Sequence, residues 1–457
     1  MDRIQPGMTS KAPSESHRGR LTRRRVVLEG GASAAFSASL VAACGVQGGG
    51  SDAPASSGAP TTVTYMIYAG ETERVAWEAT KSGFETAHPN LKLEINYAPI
   101  NDSTFNYDER LRVMMAGGNS PDTVRVAVRA FASEGSLLEL DSYIQKDKTS
   151  DLGDNLPGVL DTGKWKGKTY VLVGKLGPQV LFYNVRRFQE AGIALPKDQA
   201  EKGTWNFDAF VQAAERLNNR RDTPPRQIAY GPYTSFWSWV AMGGGKPFNA
   251  DYTEGSMDKP ENFDPAQFRA DLLLKRNVAV KPDDPATHKS WQGFADGQVS
   301  MFISGPWQMA RIHGRLSDPW DIAPPPLQKN GKPHMNAGGE AVWKGSKVPD
   351  AAYRWVAFME GKEGQRIWSG LGTDLPGRKS VLADFVAGKL FKDPKMAPPN
   401  NKLWLDIVPK SEKVHMLTND ANRIYNAAWA DVEAGKLTAR DAFTEANRQA
   451  APYLKQG

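Results

Sequence analysis

Between residues 61 and 128, segments with the apolar pattern of a strand alternate with segments that have the pattern of a helix. Residues 63–68 form a β-branched and aromatic run typical of a strand, residues 73–86 have a helical pattern, and residues 91–97 return to a strand pattern. A strand, a helix and a strand within about 35 residues make a βαβ unit, which requires a parallel sheet with helices on its faces. The start of the chain's ordered region therefore predicts an α/β fold.

The same alternation continues towards the C-terminus, where helices dominate. Thr204 or Asn206 stands where it could cap the helix that follows. The further predicted elements are helices at 105–116, 207–218, 351–360, 364–369, 419–434 and 438–450, strands at 123–128 and 180–184, and a hairpin at 164–173.

The first 43 residues show charge, then an apolar stretch, then small residues, which is the order of an export signal. The apolar stretch at 30–43 is shorter than the roughly 20 residues that span a membrane core, so we expect it to be removed. Arg23-Arg24 before a mildly apolar segment is typical of a twin-arginine signal, which exports folded proteins. An ordinary signal for unfolded export, with a basic start, is the alternative.

Cys44 follows Leu40-Val41-Ala42-Ala43, a segment that resembles the lipobox of bacterial lipoproteins. It is the single cysteine, so it cannot form an internal disulfide, and the exit of a signal peptide offers no base to activate it. Acyl chains on its sulfur would hold the protein at a membrane. Residues 44–60 are poor in bulky apolar side chains and predict a tether. We therefore expect an extracytoplasmic protein, lipid-anchored to the cell membrane.

The charge distribution argues against a nucleic-acid partner. The chain has a net charge of +6, but residues 1–43 carry seven Lys/Arg against three Asp/Glu, which leaves +2 for the remainder. No run of Lys or Arg follows Cys44. The histidines beyond the signal are widely scattered, so we predict neither a metal site nor a cofactor.

Short motifs punctuate the elements from Thr61 to about Ala450. In chain order they are FETAHP at 84–89, MAGGNSPD at 115–122, GSLLELD at 135–141, GKTY at 167–170 with LFYN at 181–184, AGI at 191–193 with TW at 204–205, FADGQVSM at 294–301 with SGPW at 304–307, and GGE at 338–340 with LPGR at 375–378. Together they resemble the extracellular solute-binding proteins of ABC importers (family 1), in the sugar-binding branch that includes maltose-binding protein.

This resemblance implies an α/β, two-lobed periplasmic-binding-protein fold, with hinge strands and a ligand cleft between the lobes. The crossings are expected near 175–179, 323–327 and 368–373. The implied lobe 1 comprises residues 61–176 and 325–372, and the implied lobe 2 comprises residues 177–324 and 373–457. The implied function is that of a monomeric substrate-binding lipoprotein, which captures a carbohydrate, in particular an oligosaccharide, and delivers it to the membrane permease subunits of an ABC importer.

A sugar presents apolar C–H faces and a rim of hydroxyls, so its site needs aromatic planes and polar groups. Tyr233, Trp237 and Trp239 are candidates, because residues 233–239 are expected to form a strand or turn that presents several aromatic planes, although the two tryptophans could instead share a core face. Trp307 matches a tryptophan that stacks on sugar in the family, and packing at a helix start is its alternative role. The polar candidates, in loops after strands or carried over from the family, are Tyr68, Glu71, Arg125, Arg129, Gly339, Glu340 and Arg378.

Arginine in such a site can fork onto vicinal hydroxyls or onto an acidic sugar. A binding protein for a polyamine, a peptide or a glycerol phosphodiester is an alternative. An exported glycoside hydrolase is a weaker one, since it would need two carboxylates at a set separation. No Gly-x-Ser-x-Gly and no His-Glu-x-x-His motif occurs, and we predict a protein that is not an enzyme.

Overall fold

The computed structural model describes residues 59–99, 106–218, 226–281, 291–413 and 417–455. The predicted export signal, Cys44 and nearly all of the predicted tether lie outside the described residues. In the described part of the chain, no helix is both long and apolar enough to cross a membrane.

Strands and helices alternate through the first half of the described chain. The strands are β1 Thr61–Tyr68, β2 Leu91–Ala98, β3 Thr123–Arg125, β4 Lys164–Trp165, β5 Lys168–Thr169, β6 Val171–Pro178, β7 Val180–Asn184, β8 Ile228–Gly231, β9 Val299–Ser304, β10 Trp320–Ala323, β11 His334–Val342, β12 Leu375–Pro376 and β13 Glu412–Lys413.

Helices cover the faces of the sheets and make up most of the C-terminal part. They are α1 Glu71–Ala87, α2 Tyr107–Ala116, α3 Val128–Ala132, α4 Asp141–Lys146, α5 Val185–Glu190, α6 Pro196–Glu201, α7 Phe207–Leu217, α8 Phe236–Met242, α9 Pro260–Leu274, α10 Trp291–Ala295, α11 Gln308–Ile312, α12 Pro349–Met359, α13 Lys362–Ser369, α14 Lys379–Val386, α15 Leu403–Ile407, α16 Asn419–Glu433 and α17 Ala439–Lys455. Short 3-10 helices are Leu152–Asp154, Leu160–Gly163, Pro394–Met396 and Val408–Lys410.

The first lobe is built on a sheet with the strand order β12-β6-β11-β3-β1-β2, to which β13 adds by pairing with β11. Strands β2 and β3 run parallel to β1, whereas β11 is antiparallel to both β3 and β6. Helices α1, α12 and α13 cover one face, where Trp77, Trp355 and Trp368 are buried in one apolar cluster. The βαβ unit expected from the first strands is therefore present.

The second lobe is built on a four-stranded sheet with the order β10-β7-β9-β8. Phe207 and Phe210 of α7 pack with Trp239 in the core that covers this sheet. The C-terminal helices α16 and α17 pack on α8, where Phe236 stacks on Trp429 at 5.1 Å and on Phe443 at 5.3 Å. The second lobe therefore combines an early segment of the chain with its last helices.

The chain crosses between the lobes at short connections. Gln179 alone separates β6 of the first sheet from β7 of the second, and its N–H donates to the His334 carbonyl at 2.7 Å. The return crossing, between β10 and β11, contains Pro324-Pro325-Pro326, which suits a connector because proline fixes φ and offers no ladder donor. The two-lobed α/β fold with hinge strands is confirmed.

The third crossing lies later than the predicted segment at 368–373. Leu375 and Pro376 pair with β6 and so belong to the first sheet, although they were assigned to the second lobe. The chain contacts the second sheet at Asn400, whose N–H donates to Asp321 Oδ1 at 2.7 Å, but β13 pairs with β11 again and α16 then packs on the second lobe. The local pattern could not show this, because two residues of strand carry no period.

Two secondary-structure predictions were wrong. The strand expected at 123–128 stops at Arg125, because pairing with β1 and β11 ends there and α3 begins at Val128. The segment 233–239, expected as a strand or turn, contains the start of α8, where the Ser235 hydroxyl accepts the Trp237 N–H at 3.3 Å. By contrast, the hairpin at 164–173 is confirmed, and Asn206 caps α7 by accepting the Ala209 N–H at 3.0 Å.

A buried ionic network crosses the first sheet. Lys175 Nζ of β6 lies 2.7 Å from Glu340 Oε2 of β11 and also contacts Glu360 after α12. Glu340 Oε1 accepts from Tyr65 of β1 at 2.8 Å and from Arg125 Nε of β3 at 3.3 Å. Burial would raise the pKa of Glu340, but Lys175 and Arg125 together hold that pKa well below its ordinary value.

We predict that Lys175→Met lowers the free energy of unfolding by about 3–5 kcal/mol, because it removes the buried cation that Glu340 and Glu360 share and leaves Glu340 paired with Arg125. Urea denaturation of the two proteins measures this. Lys168→Met is the matched control, since Lys168 pairs with Glu139 on the surface and should change stability by less than about 1 kcal/mol. Equal stabilities of the two variants would contradict the structural role of Lys175.

Candidate ligand-binding site

A cavity of about 380 Å³ lies between the two lobes. The first lobe contributes residues 126–129 at the start of α3, the β4–β5 hairpin and part of β6 and β11, whereas the second lobe contributes residues 250–253. This volume falls at the low end of the range of about 300–1,000 Å³ that is usual for small-molecule sites. A ligand in this cavity would contact both lobes.

The two lobes place an aromatic ring each in the wall of this cavity. Trp165 stands at the β4–β5 turn, where Lys166 and Gly167 both have positive φ, at 49° and 79°. Positive φ at both central residues is the geometry of a tight hairpin turn, so the turn presents Trp165 at its base. Tyr252 of the second lobe is stacked on Phe248 at 5.6 Å.

Two predicted site residues line the cavity. Arg129 reaches across from α3, and its Nη1 donates to the Asp251 carbonyl of the second lobe at 3.2 Å. Gly339 lies at a register shift in β11, where a Cβ would collide with the Leu172 carbonyl oxygen. Glycine is therefore required for β11 to approach β6 so closely at the cavity wall.

Glu340 and Arg125 belong to the buried network instead of the cavity wall. Glu340 is fully buried, and both of its oxygens accept hydrogen bonds from protein side chains. Arg125 lies over the Trp77 ring at 5.1 Å and donates to Glu340. The structure thus corrects the expectation of ligand contact for Glu340, because its charge is already paired within the sheet.

Arg378 also makes its hydrogen bonds to the protein's own backbone. Its guanidinium donates to the carbonyls of Ser150 at 2.6 Å and Asp151 at 2.9 Å, and Nε donates to the Glu360 carbonyl at 3.0 Å. Because the residue is almost fully buried, burial lowers its pKa. Arg378 therefore holds loops together, and the expectation that it binds ligand is not supported by its place.

Trp307 lies at the hinge between the lobes. A Cβ on Gly177, near the end of β6, or on Gly305, after β9, would collide with the six-membered ring of Trp307. The ring thus packs against one glycine from each lobe, and Trp307 is absent from the described cavity wall. Trp307 stands just before α11 and is only partly buried, so sugar stacking and packing at the helix start both stay predictions.

The other aromatic candidates have separate places. Trp239 is fully buried in the core of the second lobe, so it has no surface to offer a ligand. Trp237 lies two residues before Trp239 on α8, so the two side chains point in different directions. Trp237 is half-buried, and its ring packs on Phe236 at 4.3 Å. Tyr233 is exposed, as are Tyr68 and Glu71, and these three stay predictions.

An ion pair outside the cavity also joins the lobes. Glu73 in the first turn of α1 contacts Arg311 of α11, and both side chains are largely buried. The other oxygen of Glu73 accepts the Gly70 N–H at 2.9 Å, which closes the start of α1. Sequence reasoning missed this pair, and it missed Trp165 and Tyr252, because nothing in a local pattern shows which side chains meet across a cleft.

A buried histidine lies beside the hinge crossing. His334 Nδ1 lies 2.5 Å from the Ser238 hydroxyl, and burial lowers the pKa of His334 to about 4. Asp374 lies near the first-sheet network, and burial, opposed by Arg125 and Lys175, raises its pKa to about 6. Among the described residues, no group of His, Cys, Asp or Glu is arranged to hold a metal ion.

Two α/β lobes joined by short crossings, with a cavity between them, define a hinged binding protein. The chain belongs to the family of bacterial extracellular solute-binding proteins, whose profile matches residues 31–366.

Individual relatives and solved structures agree with this assignment. An arabinooligosaccharide-binding protein of Bacillus subtilis (strain 168) is 24% identical over 332 residues, which cover 69% of this chain and 73% of the relative. A Listeria monocytogenes ABC substrate-binding protein in complex with cycloalternan has a TM-score of 0.75 at 24% identity and covers 85% of this chain and 97% of its own. The GacH receptor of Streptomyces glaucescens, solved unliganded and with acarbose, has a TM-score of 0.69 at 22% identity, with coverages of 87% and 99%.

We predict that His334 makes the protein less stable in mild acid. Its folded pKa, about 4, lies below the ordinary value of 6.5, so between these values the unfolded chain binds a proton that the folded protein does not. The contribution of His334 to the free energy of unfolding therefore has its full value above about pH 6.5. It falls by about 3 kcal/mol as the pH drops to about 4.

Urea denaturation of the wild type and His334→Asn across this pH window measures the effect. Carboxyl groups such as Asp374 contribute to both proteins, so the difference between the two curves isolates His334. Parallel curves would contradict the prediction.

Proposed function

We propose that this protein captures a carbohydrate in the cavity between its lobes and delivers it to the permease of an ABC importer. The observation that carries the proposal is the meeting of Trp165 and Tyr252, one from each lobe, in a cavity that also presents Arg129. Aromatic planes suit the C–H faces of a sugar ring, and guanidinium N–H groups suit its hydroxyls. A sugar held by both lobes would favour their closed arrangement.

The names of relatives and similar structures support a carbohydrate ligand. The Bacillus subtilis relative is an arabinooligosaccharide-binding protein, and the similar solved structures include complexes with cycloalternan, acarbose and mannobiose. We propose an oligosaccharide for this chain, with one end in the cavity.

The composition of the cavity wall disfavours two of the alternatives. A polyamine needs carboxylates around it, but the described wall contains Arg129, Lys164 and Lys166 and a single carboxylate, that of Asp251. A glycoside hydrolase of the usual kind needs two carboxylates flanking the scissile bond, and the described wall does not provide a pair. We propose binding without catalysis.

We further propose that the protein works as a monomer outside the cytoplasm, held to the membrane by lipid on Cys44. The tether at 44–60 would let the lobes reach the permease while the anchor keeps them near it.

We predict that isothermal titration calorimetry against a panel of oligosaccharides finds a ligand with micromolar affinity, and that Trp165→Ala weakens its binding by more than about 2 kcal/mol. Trp343→Ala is the matched control, because Trp343 is half-buried in the same lobe but lies away from the described cavity wall. Binding of a peptide or a glycerol phosphodiester, with no response to any sugar, would overturn the carbohydrate proposal.

The anchor has its own test. We expect Cys44→Ala to move the protein from the membrane fraction to the soluble fraction, since the thiol that would carry the acyl chains is lost. Fractionation and immunoblotting measure this, with the wild type as control. A variant that stayed with the membrane would rule out Cys44 as the anchor.

A further inference from the structure

The described wall of the cavity carries more positive than negative charge. Arg129, Lys164 and Lys166 line it, and Asp251 is the carboxylate that faces them. Lys164 Nζ lies 2.9 Å from Asp161, so this pair neutralises one of the positive charges. Arg129 and Lys166 are the other two cations of the wall, and an anionic ligand would neutralise their charge.

Arg129 donates to neutral acceptors. Its Nη1 and Nη2 reach the carbonyl oxygens of Asp251 and Tyr252, at 3.2 Å and 3.5 Å, and these contacts carry no formal negative charge. Burial lowers the pKa of Arg129, and the nearby Tyr252 and Asp251 offset this effect in part. The guanidinium has more N–H donors than these two bonds use, in a planar fork that matches a carboxylate.

Lys166 lies beside the aromatic surface of the same wall. Its Nζ is 4.4 Å from the centre of the Trp165 ring, and its backbone is held at a φ of 49° by the β4–β5 turn. Among the described residues it has no ion-pair partner, so the ring is the contact that positions its ammonium group. A cation is thus placed next to the plane on which a sugar ring would pack.

We propose that the preferred ligand is an acidic saccharide, in which a uronic acid carboxylate is bound by Arg129 and Lys166 while a ring packs on Trp165. The inference rests on the proposed carbohydrate function and narrows its substrate class. A neutral sugar would leave Asp251 as the carboxylate of the described wall that faces two cations, whereas a ligand carboxylate would give Arg129 and Lys166 charge-assisted hydrogen bonds.

Calorimetry with matched pairs of oligosaccharides tests this. Each pair has the same linkage and ring configuration, and one member carries a hexuronate where the other carries the neutral hexose. We expect the acidic member of at least one pair to bind about tenfold more tightly or better at low ionic strength. Added salt should reduce this preference, because it screens charges that are partly exposed.

Variants assign the preference to the two cations. Arg129→Gln and Lys166→Gln should each reduce the ratio of acidic to neutral affinity several-fold, and Arg129→Lys should keep part of it. The ratio is the readout because loss of the bonds from Arg129 to the second lobe would weaken both ligands alike. Lys168→Gln is the control, since Lys168 lies on the same hairpin, is paired with Glu139 at 2.6 Å and does not line the cavity.

The outcomes separate this inference from the proposed function. Equal or tighter binding of neutral sugars would overturn the acidic ligand and leave carbohydrate capture standing. A preference that survives both glutamine variants would overturn the role of Arg129 and Lys166. No binding of either class, with a response to a glycerol phosphodiester or a peptide, would overturn the inference and the proposed function together.

Discussion

The buried ammonium of Lys175 lies between Glu340 and Glu360, and the first lobe is organised around this charge. Burying any one of these charges without a partner would cost free energy of desolvation, so each ion depends on the others for its stability. Glu340 also accepts hydrogen bonds from Tyr65 and Arg125, which adds these two residues to the network. The network thereby ties together β1, β3, β6 and β11 in one register. Since β6, β11 and the segment after β3 also form the cavity wall, the site's geometry depends on the same set of ion pairs.

The contacts between the lobes include an aromatic contact at the hinge and polar contacts elsewhere. Trp307 packs on a glycine of each lobe, which leaves no space for larger side chains at those positions. Glu73 with Arg311, and Arg129 with the Asp251 carbonyl, join the lobes through hydrogen bonds. Polar contacts of this kind can be exchanged for water when lobes separate, so they are compatible with a hinge that opens and closes.

The fold was predictable because its main signals are local. The period of apolar residues identified β1, α1 and β2, and the two lobes were implied by the resemblance that the order of the short motifs carries. Prediction failed where tertiary pairing decides the ends of elements. The strand at 123–128 was too long because only three of its residues have partners, and the crossing at 368–373 was placed too early because β12 is held by β6 alone.

The sequence by itself determined the class of protein and the type of side chain that its site would use. It could not determine which aromatic and charged residues meet, because a periodic pattern shows that a face is buried and not what it is buried against. Trp239 is buried in the core, and Arg378 donates its hydrogen bonds to backbone carbonyls. Trp165 and Tyr252, in contrast, line one cavity only because the two lobes pack together. Charge shows the same limit: Glu340 is an ordinary acid in the sequence, and its partner Lys175 lies far away along the chain. The tertiary structure alone decided which charges are neutralised within the protein and which, like Arg129 and Lys166, face the cavity.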